Sequence, residues 1–300
     1  MPNIDELDEK FSIEGEIGFA ELENDLIFMT VSNKYAGADI CLYGAHVTSF
    51  RPHNTMEILY LSPDSNFEAG KPIRGGIPVC FPWFGPHKTD PEKPLHGFGR
   101  LMYWDVSEAK SLPSGDTLVK LFLHSDAETK AYWPFDFIAE MTIVVGRTLT
   151  ATLNVFNSSS GSFEYSCALH SYFFLSSVGN ISIEGLQGVN YYDQLQNLNL
   201  LQEEEFLEID HALTRHYLDT ETPCVIDDPV FRRRINVGKS GSRVTTVWNP
   251  GEEACEKIAD LPDDAFESFV CIEAVNAFNH SVVLAPGESH ATTCVIGLAE

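Results

Sequence analysis

Residues 148–157 read TLTATLNVFN and form the plainest strand pattern in the sequence. Leu149, Ala151, Leu153 and Val155 occupy every second position, and threonine or asparagine stands between them. Because successive side chains of a strand point to opposite faces, this period of two predicts a strand with one face in a core.

Segments with similar composition recur on both sides of this stretch. They are rich in β-branched and aromatic residues and lie at 20–31, 38–50, 117–124, 137–146 and 163–175. Helical periodicity is scarce apart from a short acidic segment at 3–10, and neither a linker nor a repeat divides the chain. We therefore predict one domain over residues 1–300, an all-β fold built as a large, mainly antiparallel β-sandwich with few short helices.

The charge balance narrows the class of partner. The 300 residues contain 19 Lys plus Arg against 44 Asp plus Glu, a formal net charge of −25. This balance argues against nucleic acid and anionic membrane surfaces as partners, because both need local positive charge. Neither a membrane-spanning run nor an apolar signal core is visible, so we expect a cytoplasmic protein. The acidity fits a saline habitat or simple solubility equally well.

The seven cysteines are odd in number and widely scattered, with no CxxC pair. Most of them stand in apolar segments such as FVCIEA at 269–274. This pattern predicts buried, reduced thiols in place of a disulfide framework.

The stretch 71–100, KPIRGGIPVCFPWFGPHKTDPEKPLHGFGR, cannot be regular secondary structure throughout, because proline and glycine interrupt it repeatedly. It carries a net charge of +3, whereas the other 270 residues carry −28. A basic island in an acidic protein indicates an anionic small ligand. Arg74 and Arg100 are the best candidates to bind it, because guanidinium groups match phosphate oxygens. The alternative to a ligand-binding role is a packed loop that only covers the sheet.

Three further side chains suit proton transfer. His96 lies in the loop, His170 in the apolar strand pattern ALHSYFF, and Glu273 in the apolar run SFVCIEAVN. A carboxylate in a buried strand is costly unless it is paired or functional. The sequence lacks a GxSxG elbow and metal-ligand spacing, and a second strong carboxylate for glycoside hydrolysis is missing. The set therefore indicates general acid–base chemistry on a sugar.

Several segments resemble the hexose-6-phosphate mutarotase family (glucose-6-phosphate 1-epimerases), a branch of the aldose 1-epimerase superfamily. The strongest matches are RGGIPVCFPWFG at 74–85, HGFGR at 96–100 and ALHSYF at 168–173. Weaker matches follow in family order at 185–194, 208–210, 247–250, 260–264 and 269–274. The resemblance implies the β-sandwich of the galactose-mutarotase type (the supersandwich) and interconversion of the α and β anomers of a hexose 6-phosphate.

The resemblance also implies roles for individual residues. His170 matches the acid that protonates the ring oxygen, and Glu273 the base that takes the C1 hydroxyl proton. His96 matches a residue that holds and polarises the ring-oxygen region. For this mechanism we expect Glu273 to be ionised and His170 protonated near neutral pH. The implied enzyme needs no cofactor and no metal, and we expect it to act as a monomer on a phosphorylated hexose.

Substrate binding is implied for four further positions. Arg74 and Arg100 match substrate-binding positions that suit the phosphate. Asp210 matches a carboxylate that hydrogen-bonds sugar hydroxyls, with Asp193 as a second candidate for that role.

Departures from the family pattern concern the fine sugar preference. Leu95 stands where some relatives carry Gln, and Gly99 where Ala is usual. Trp83 follows the bacterial-type motif, and its indole could stack on a sugar face or an arginine.

Three competing functions stay open at this point. The first is an epimerase for unphosphorylated aldoses, which the basic island disfavours. The second is a non-catalytic sugar-binding module, which His170 and Glu273 disfavour. The third is a metal-dependent enzyme that uses His96, His170 and Glu273 as ligands, for which the spacing offers no support.

Overall fold

Twenty-two strands and three short helices make up the regular structure of a computed structural model that describes residues 3–22 and 24–299. The helices are α1 (Ile4–Phe11), α2 (Ala127–Tyr132) and α3 (Gly251–Cys255). The strands are β1 (Ile17–Glu21), β2 (Ile27–Ser32), β3 (Ala36–Cys41), β4 (His46–Pro52), β5 (Val79–Cys80), β6 (Asp105–Ser111), β7 (Thr117–His124), β8 (Phe137–Val145), β9 (Thr148–Asn157), β10 (Phe163–Tyr165), β11 (Cys167–Leu169), β12 (Tyr172–Phe174), β13 (Ser182–Glu184), β14 (Asn190–Asp193), β15 (Leu198–Leu201), β16 (Leu213–Tyr217), β17 (Cys224–Asp228), β18 (Arg233–Ser240), β19 (Val244–Asn249), β20 (Phe269–Asn276), β21 (Val282–Leu284) and β22 (Ser289–Leu298).

Two eight-stranded antiparallel sheets form the body of the protein. One sheet runs β13-β17-β18-β22-β9-β8-β7-β6, and the other runs β15-β14-β16-β19-β20-β11-β5, with β12 also paired to β20. A four-stranded sheet, β1-β2-β3-β4, and a two-stranded pair, β10-β21, complete the fold. This architecture confirms the predicted all-β class with few short helices, including the short helix expected near the N-terminus.

The core lies where the alternating strands turn their apolar faces inward. Strand β9 alternates along its whole length, with Leu149, Ala151, Leu153 and Val155 buried. One connected apolar cluster extends along the chain from Leu7 to Ile296. All seven cysteines are buried and free, as predicted.

The long strand predicted over 163–175 is wrong in one respect. The chain forms three short strands there, β10, β11 and β12, and leaves His170 and Ser171 outside the ladder. The His170 N–H donates to the Pro78 carbonyl, and the Ser171 N–H donates to the Leu169 carbonyl, so the local backbone leaves the strand path. This break lies beside the cleft that contains the candidate site.

Within the part of the chain that the structure describes, no helix has the length and apolar character that crossing a membrane requires.

Candidate active site

The floor of the candidate site is built from neighbouring strands of the second sheet. Glu273 on β20 is directly opposite Thr246 on β19, which in turn is opposite His216 on β16. Directly opposed residues share a face, so these three side chains point to the same side of the sheet. They lie in a cleft of about 370 Å³ that also contains Arg74, His96 and His170.

The irregular segment 71–100 forms one wall of this cleft, as its composition predicts. It contains only the two-residue strand β5 and a single 3₁₀ turn, and it turns sharply at His96 and Gly97, where φ is +64° and +76°. The turn brings the chain against Phe81: a Cβ on Gly97 would lie 2.1 Å from the Phe81 carbonyl oxygen. Glycine at position 97 therefore lets the segment close, and this closure positions His96.

His96 is held as a hydrogen-bond donor toward the cleft. The Gly85 N–H donates to His96 Nδ1 at 3.1 Å, so Nε2 carries the proton of the neutral ring. Burial, followed by the charges of Arg100 and Arg74, lowers the pKa of His96 to about 3. A neutral Nε2–H suits a contact with an uncharged sugar oxygen.

His170 and Glu273 meet at the bottom of the cleft. His170 Nε2 lies 3.4 Å from Glu273 Oε1, and the two residues are 7% and 2% exposed. Within the described residues, neither His170 Nδ1 nor Glu273 Oε2 has a hydrogen-bond partner, although both atoms are buried. Two buried titratable groups this close together can exchange one proton with each other and with a bound ligand.

The protonation state expected from the sequence differs from the one that this environment favours. Burial raises the pKa of Glu273 well above its ordinary range. Burial, with added repulsion from the charges of Arg100 and Arg74, lowers the pKa of His170 well below its ordinary range. These effects favour a carboxylic acid beside a neutral imidazole over the expected ion pair. The two forms contain the same number of protons.

Arg74 is fixed at the side of the cleft. Its Nε donates to Asp260 Oδ1 at 3.0 Å, and its Nη1 donates to the Tyr172 hydroxyl at 3.2 Å. Burial alone would lower the pKa of Arg74, but Tyr172 and Asp260 outweigh it and raise the pKa. The guanidinium is therefore charged and oriented, with N–H groups left to bind an anion.

Arg100 is placed differently from Arg74. It is buried behind the wall segment, where its Nη2 donates to the Leu95 carbonyl at 2.9 Å, and it does not line the cleft. Its charge nevertheless lowers the pKa of two cleft histidines, His96 and His170.

The two aspartates considered for hydroxyl binding do not line this cleft. Asp210 is exposed in a separate surface depression, next to His211 and Arg215. Asp193 is buried, and its Oδ2 lies 3.6 Å from Arg215 Nε. Asp193 faces away from the cleft because successive side chains alternate along a strand. Gln194, the next residue, lines the cleft instead.

Trp83 is also absent from the cleft lining, because its ring is buried in the wall and its Nε1 donates to the Pro94 carbonyl at 2.9 Å.

The cleft that contains Arg74 also contains three polar side chains that the sequence analysis did not predict: His216, Thr246 and Gln194. His216 Nδ1 is 2.8 Å from Thr246 Oγ1, and His216 Nε2 is 3.0 Å from Gln194 Oε1. Trp248 contributes an apolar surface beside them. Trp248 lies in the segment 247–250 that matched the family, but His216 carries no local signal, because only strand pairing brings it to Thr246.

Residues 3–22 and 24–299 contain no group of three or more His, Cys, Asp or Glu side chains arranged to hold a metal ion.

Comparisons with known proteins agree with this geometry. An Escherichia coli K12 protein named "Putative glucose-6-phosphate 1-epimerase" is 34% identical over 256 residues, which cover 85% of this chain and 84% of that protein. The crystal structure of "a putative mutarotase (YeaD)" from Salmonella typhimurium is 28% identical, with a TM-score of 0.90 over 97% of this chain and 96% of that one.

The fold extends to more distant structures. A galactose mutarotase-like protein from Clostridium acetobutylicum is 17% identical, with a TM-score of 0.74 over 95% of this chain and 98% of that one. The family model described as Aldose 1-epimerase matches residues 28–297. A match of this extent includes both large sheets and every residue of the cleft, and it shows that the chain belongs to the aldose 1-epimerase family.

Proposed function

We propose that this epimerase interconverts the α and β anomers of a hexose 6-phosphate, with His170 and Glu273 as its acid–base pair. The observation that carries the proposal is the 3.4 Å contact between these two side chains in a cleft whose side holds the oriented guanidinium of Arg74. The name of the Escherichia coli relative includes glucose 6-phosphate, which is a hexose 6-phosphate.

The reaction needs one proton donor and one acceptor on a single hemiacetal. Transfer of the shared proton from Glu273 to His170 leaves a carboxylate and an imidazolium, without net uptake from solvent. Glu273 then takes the proton of the C1 hydroxyl while His170 protonates the ring oxygen. The bond between C1 and the ring oxygen breaks, the open-chain aldehyde forms, and rotation about C1–C2 exposes its other face. Ring closure reverses both proton transfers.

The other cleft residues would hold the sugar. The Nε2–H of His96 is placed to donate to an oxygen near the ring, and the N–H groups that Arg74 does not use internally are available to the 6-phosphate. His216, Thr246 and Gln194 supply neutral polar groups for hydroxyls. A monomeric state and a cytoplasmic location stay predictions.

Anomer-exchange NMR with glucose, mannose and galactose 6-phosphates, each compared with its free sugar, tests the proposal. We expect kcat/KM to be highest for a phosphorylated sugar. Equal or faster exchange of free glucose would reject the phosphosugar assignment in favour of an epimerase for free aldoses.

The same assay tests the acid–base pair. His170→Ala and Glu273→Gln should each lower kcat by roughly 10²–10⁴, the usual contribution of a positioned acid or base. The matched controls are His211→Ala and Glu208→Gln, which change exposed residues outside the cleft and should leave the rate unchanged. Circular dichroism verifies folding, and a variant that retains most of its activity would refute the role given to that residue.

Arg74→Ala separates phosphate binding from sugar binding. Because a bidentate contact with an anion is lost, we expect KM for glucose 6-phosphate to rise more than KM for free glucose. An equal loss with both sugars would argue against a phosphate role for Arg74.

A further inference from the structure

His170 lies in a positive electrostatic field before any substrate binds. The guanidinium groups of Arg74 and Arg100 both disfavour its protonated form, in addition to burial and the neighbouring ring of His96. An imidazolium is needed to protonate the ring oxygen, so burial and these charges favour an inactive form of the acid. Something that arrives with the substrate must offset this field.

The structure links Arg74 to His170 through one side chain. Arg74 Nη1 donates to the Tyr172 hydroxyl at 3.2 Å, and the Tyr172 ring stacks on the His170 ring with centroids 4.8 Å apart and an interplanar angle of 12°. The guanidinium is thus held on the His170 side of the pair. For Glu273, in contrast, burial alone accounts for the raised pKa.

We propose that the phosphate of the substrate, bound at Arg74, moves the shared proton from Glu273 to His170 and so activates the acid, in addition to anchoring the sugar. This proposal rests on the proposed function, because it requires a phosphorylated substrate. The step is balanced within the site: the O–H bond of Glu273 breaks, an N–H bond forms at His170 Nε2, and no solvent proton is consumed.

The expected size of the effect follows from electrostatics. A dianion at Arg74 reverses the sign of the local charge, and charges within a few ångströms of each other in a partly buried site interact by several kcal/mol at most. The proton's position depends on the difference between the pKa values of His170 and Glu273. Each pKa unit by which this difference changes in favour of His170 increases the protonated fraction of His170 about tenfold. The phosphate should therefore act on kcat as well as on KM.

An experiment that supplies the sugar ring and the dianion as two separate molecules tests whether the anion activates His170. D-xylose has the pyranose ring of glucose without C6, and sulfate is a dianion that is too weak a base to catalyse anomer exchange itself. We expect sulfate, at constant ionic strength kept with sodium chloride, to raise the enzymatic exchange of xylose about tenfold. Competitive inhibition by sulfate, or no change, would overturn the proposal.

Two variants locate the effect. In Arg74→Gln the rate with sulfate should equal the rate without it. In Arg147→Gln, which alters an exposed arginine stacked on Tyr35 outside the cleft, the activation should persist. Activation that survives in Arg74→Gln would place the anion elsewhere and contradict the proposal.

A spectroscopic measurement keeps the proposal separate from the proposed function. In ¹⁵N-histidine-labelled enzyme, with His170 assigned from His170→Ala, we expect 1,5-anhydroglucitol 6-phosphate to give an imidazolium signal and unphosphorylated 1,5-anhydroglucitol to leave the ring neutral. If glucose 6-phosphate is the better substrate and His170 nevertheless stays neutral with the phosphorylated analogue, only the activation proposal fails. If glucose 6-phosphate is not the better substrate, the proposed function itself fails.

Discussion

The carboxyl of Glu273 is buried in a strand, with its Oε1 next to His170 and its Oε2 without a hydrogen-bond partner among the described residues, and this position costs folding free energy. Its pKa is raised above the ordinary value of 4.5, so the folded state holds a proton that the unfolded state releases as pH rises. The contribution of Glu273 to stability is therefore complete below pH 4.5 and is lost progressively above it. Retention of a carboxyl at the expense of stability is expected of the acid–base role proposed for Glu273.

Replacement by glutamine should reveal this cost. We expect Glu273→Gln and wild type to be similarly stable at pH 4.5, and the variant to be the more stable of the two at pH 8, because glutamine does not ionise. Urea unfolding at the two pH values measures it, with exposed Glu208→Gln as the control. A variant that loses stability as pH rises, relative to wild type, would contradict this account.

The sequence predicts a candidate functional side chain where a charged residue lies in an apolar segment. Glu273 in the apolar run 268–276 predicted a carboxylate that is paired or functional, and the structure places it against His170. Arg74 and Arg100 look alike in the sequence, yet only Arg74 lines the cleft. The difference arises from the path of the loop between them, which local sequence does not show.

At the scale of elements, the wall segment 71–100 depends on backbone contacts that leave no room for a side chain. Gly97→Ala places a methyl group 2.1 Å from the Phe81 carbonyl oxygen while φ is +76°. We expect a loss of unfolding free energy greater than the roughly 1–2 kcal/mol that a left-handed conformation alone costs an alanine. We also expect a fall in kcat/KM, because His96 is the preceding residue.

Gly70→Ala is the matched control for this prediction. Gly70 also has a positive φ, of +88°, but an added Cβ would meet nothing within 4 Å. Chemical denaturation and the exchange assay on both variants separate conformational strain from steric overlap. Equal losses in the two variants would show that the close approach at Gly97 is unimportant.

The strands themselves were largely predictable, because a period of two is a local property. Strands β7 and β9 match the sequence pattern along their whole length. The segment 163–175 did not follow its pattern, because the His170 N–H donates to the carbonyl of the distant residue Pro78 and the strand is interrupted there. Long-range hydrogen bonding thus overrode local propensity at a position that serves the site.

For the whole molecule, buried neutral histidines make stability sensitive to acid. His46 lies outside the cleft with its Nε2 2.7 Å from the Gly75 carbonyl oxygen, and burial lowers its pKa to about 4. The unfolded chain binds this proton near pH 6.5 and the folded protein does not. Stability from His46 is therefore present above pH 6.5 and falls as pH drops toward 4.

His46→Gln should remove this part of the pH dependence. Between pH 7 and pH 4 we expect the unfolding free energy of wild type to fall by about 3 kcal/mol more than that of the variant, since each pKa unit is worth about 1.4 kcal/mol. Comparing the two slopes by urea unfolding cancels the titration of the many carboxylates. His124→Gln, at an exposed position, is the control for the loss of a histidine as such. If the unfolding free energies of wild type and His46→Gln change in parallel with pH, His46 is not a source of the acid sensitivity.

By itself, the sequence determined the class of fold, the irregular wall segment and a candidate carboxylate at Glu273, because alternation, proline and glycine content, and a charge in an apolar run are all local properties. Only the tertiary structure decided which arginine faces the cleft, that Asp193 and Asp210 lie away from it, and that His216 belongs to it. These placements depend on strand register and loop crossings between residues far apart in the chain. The protonation of the pair was likewise decided by folding, because burial and two guanidinium groups act on His170 only once the sheet is assembled.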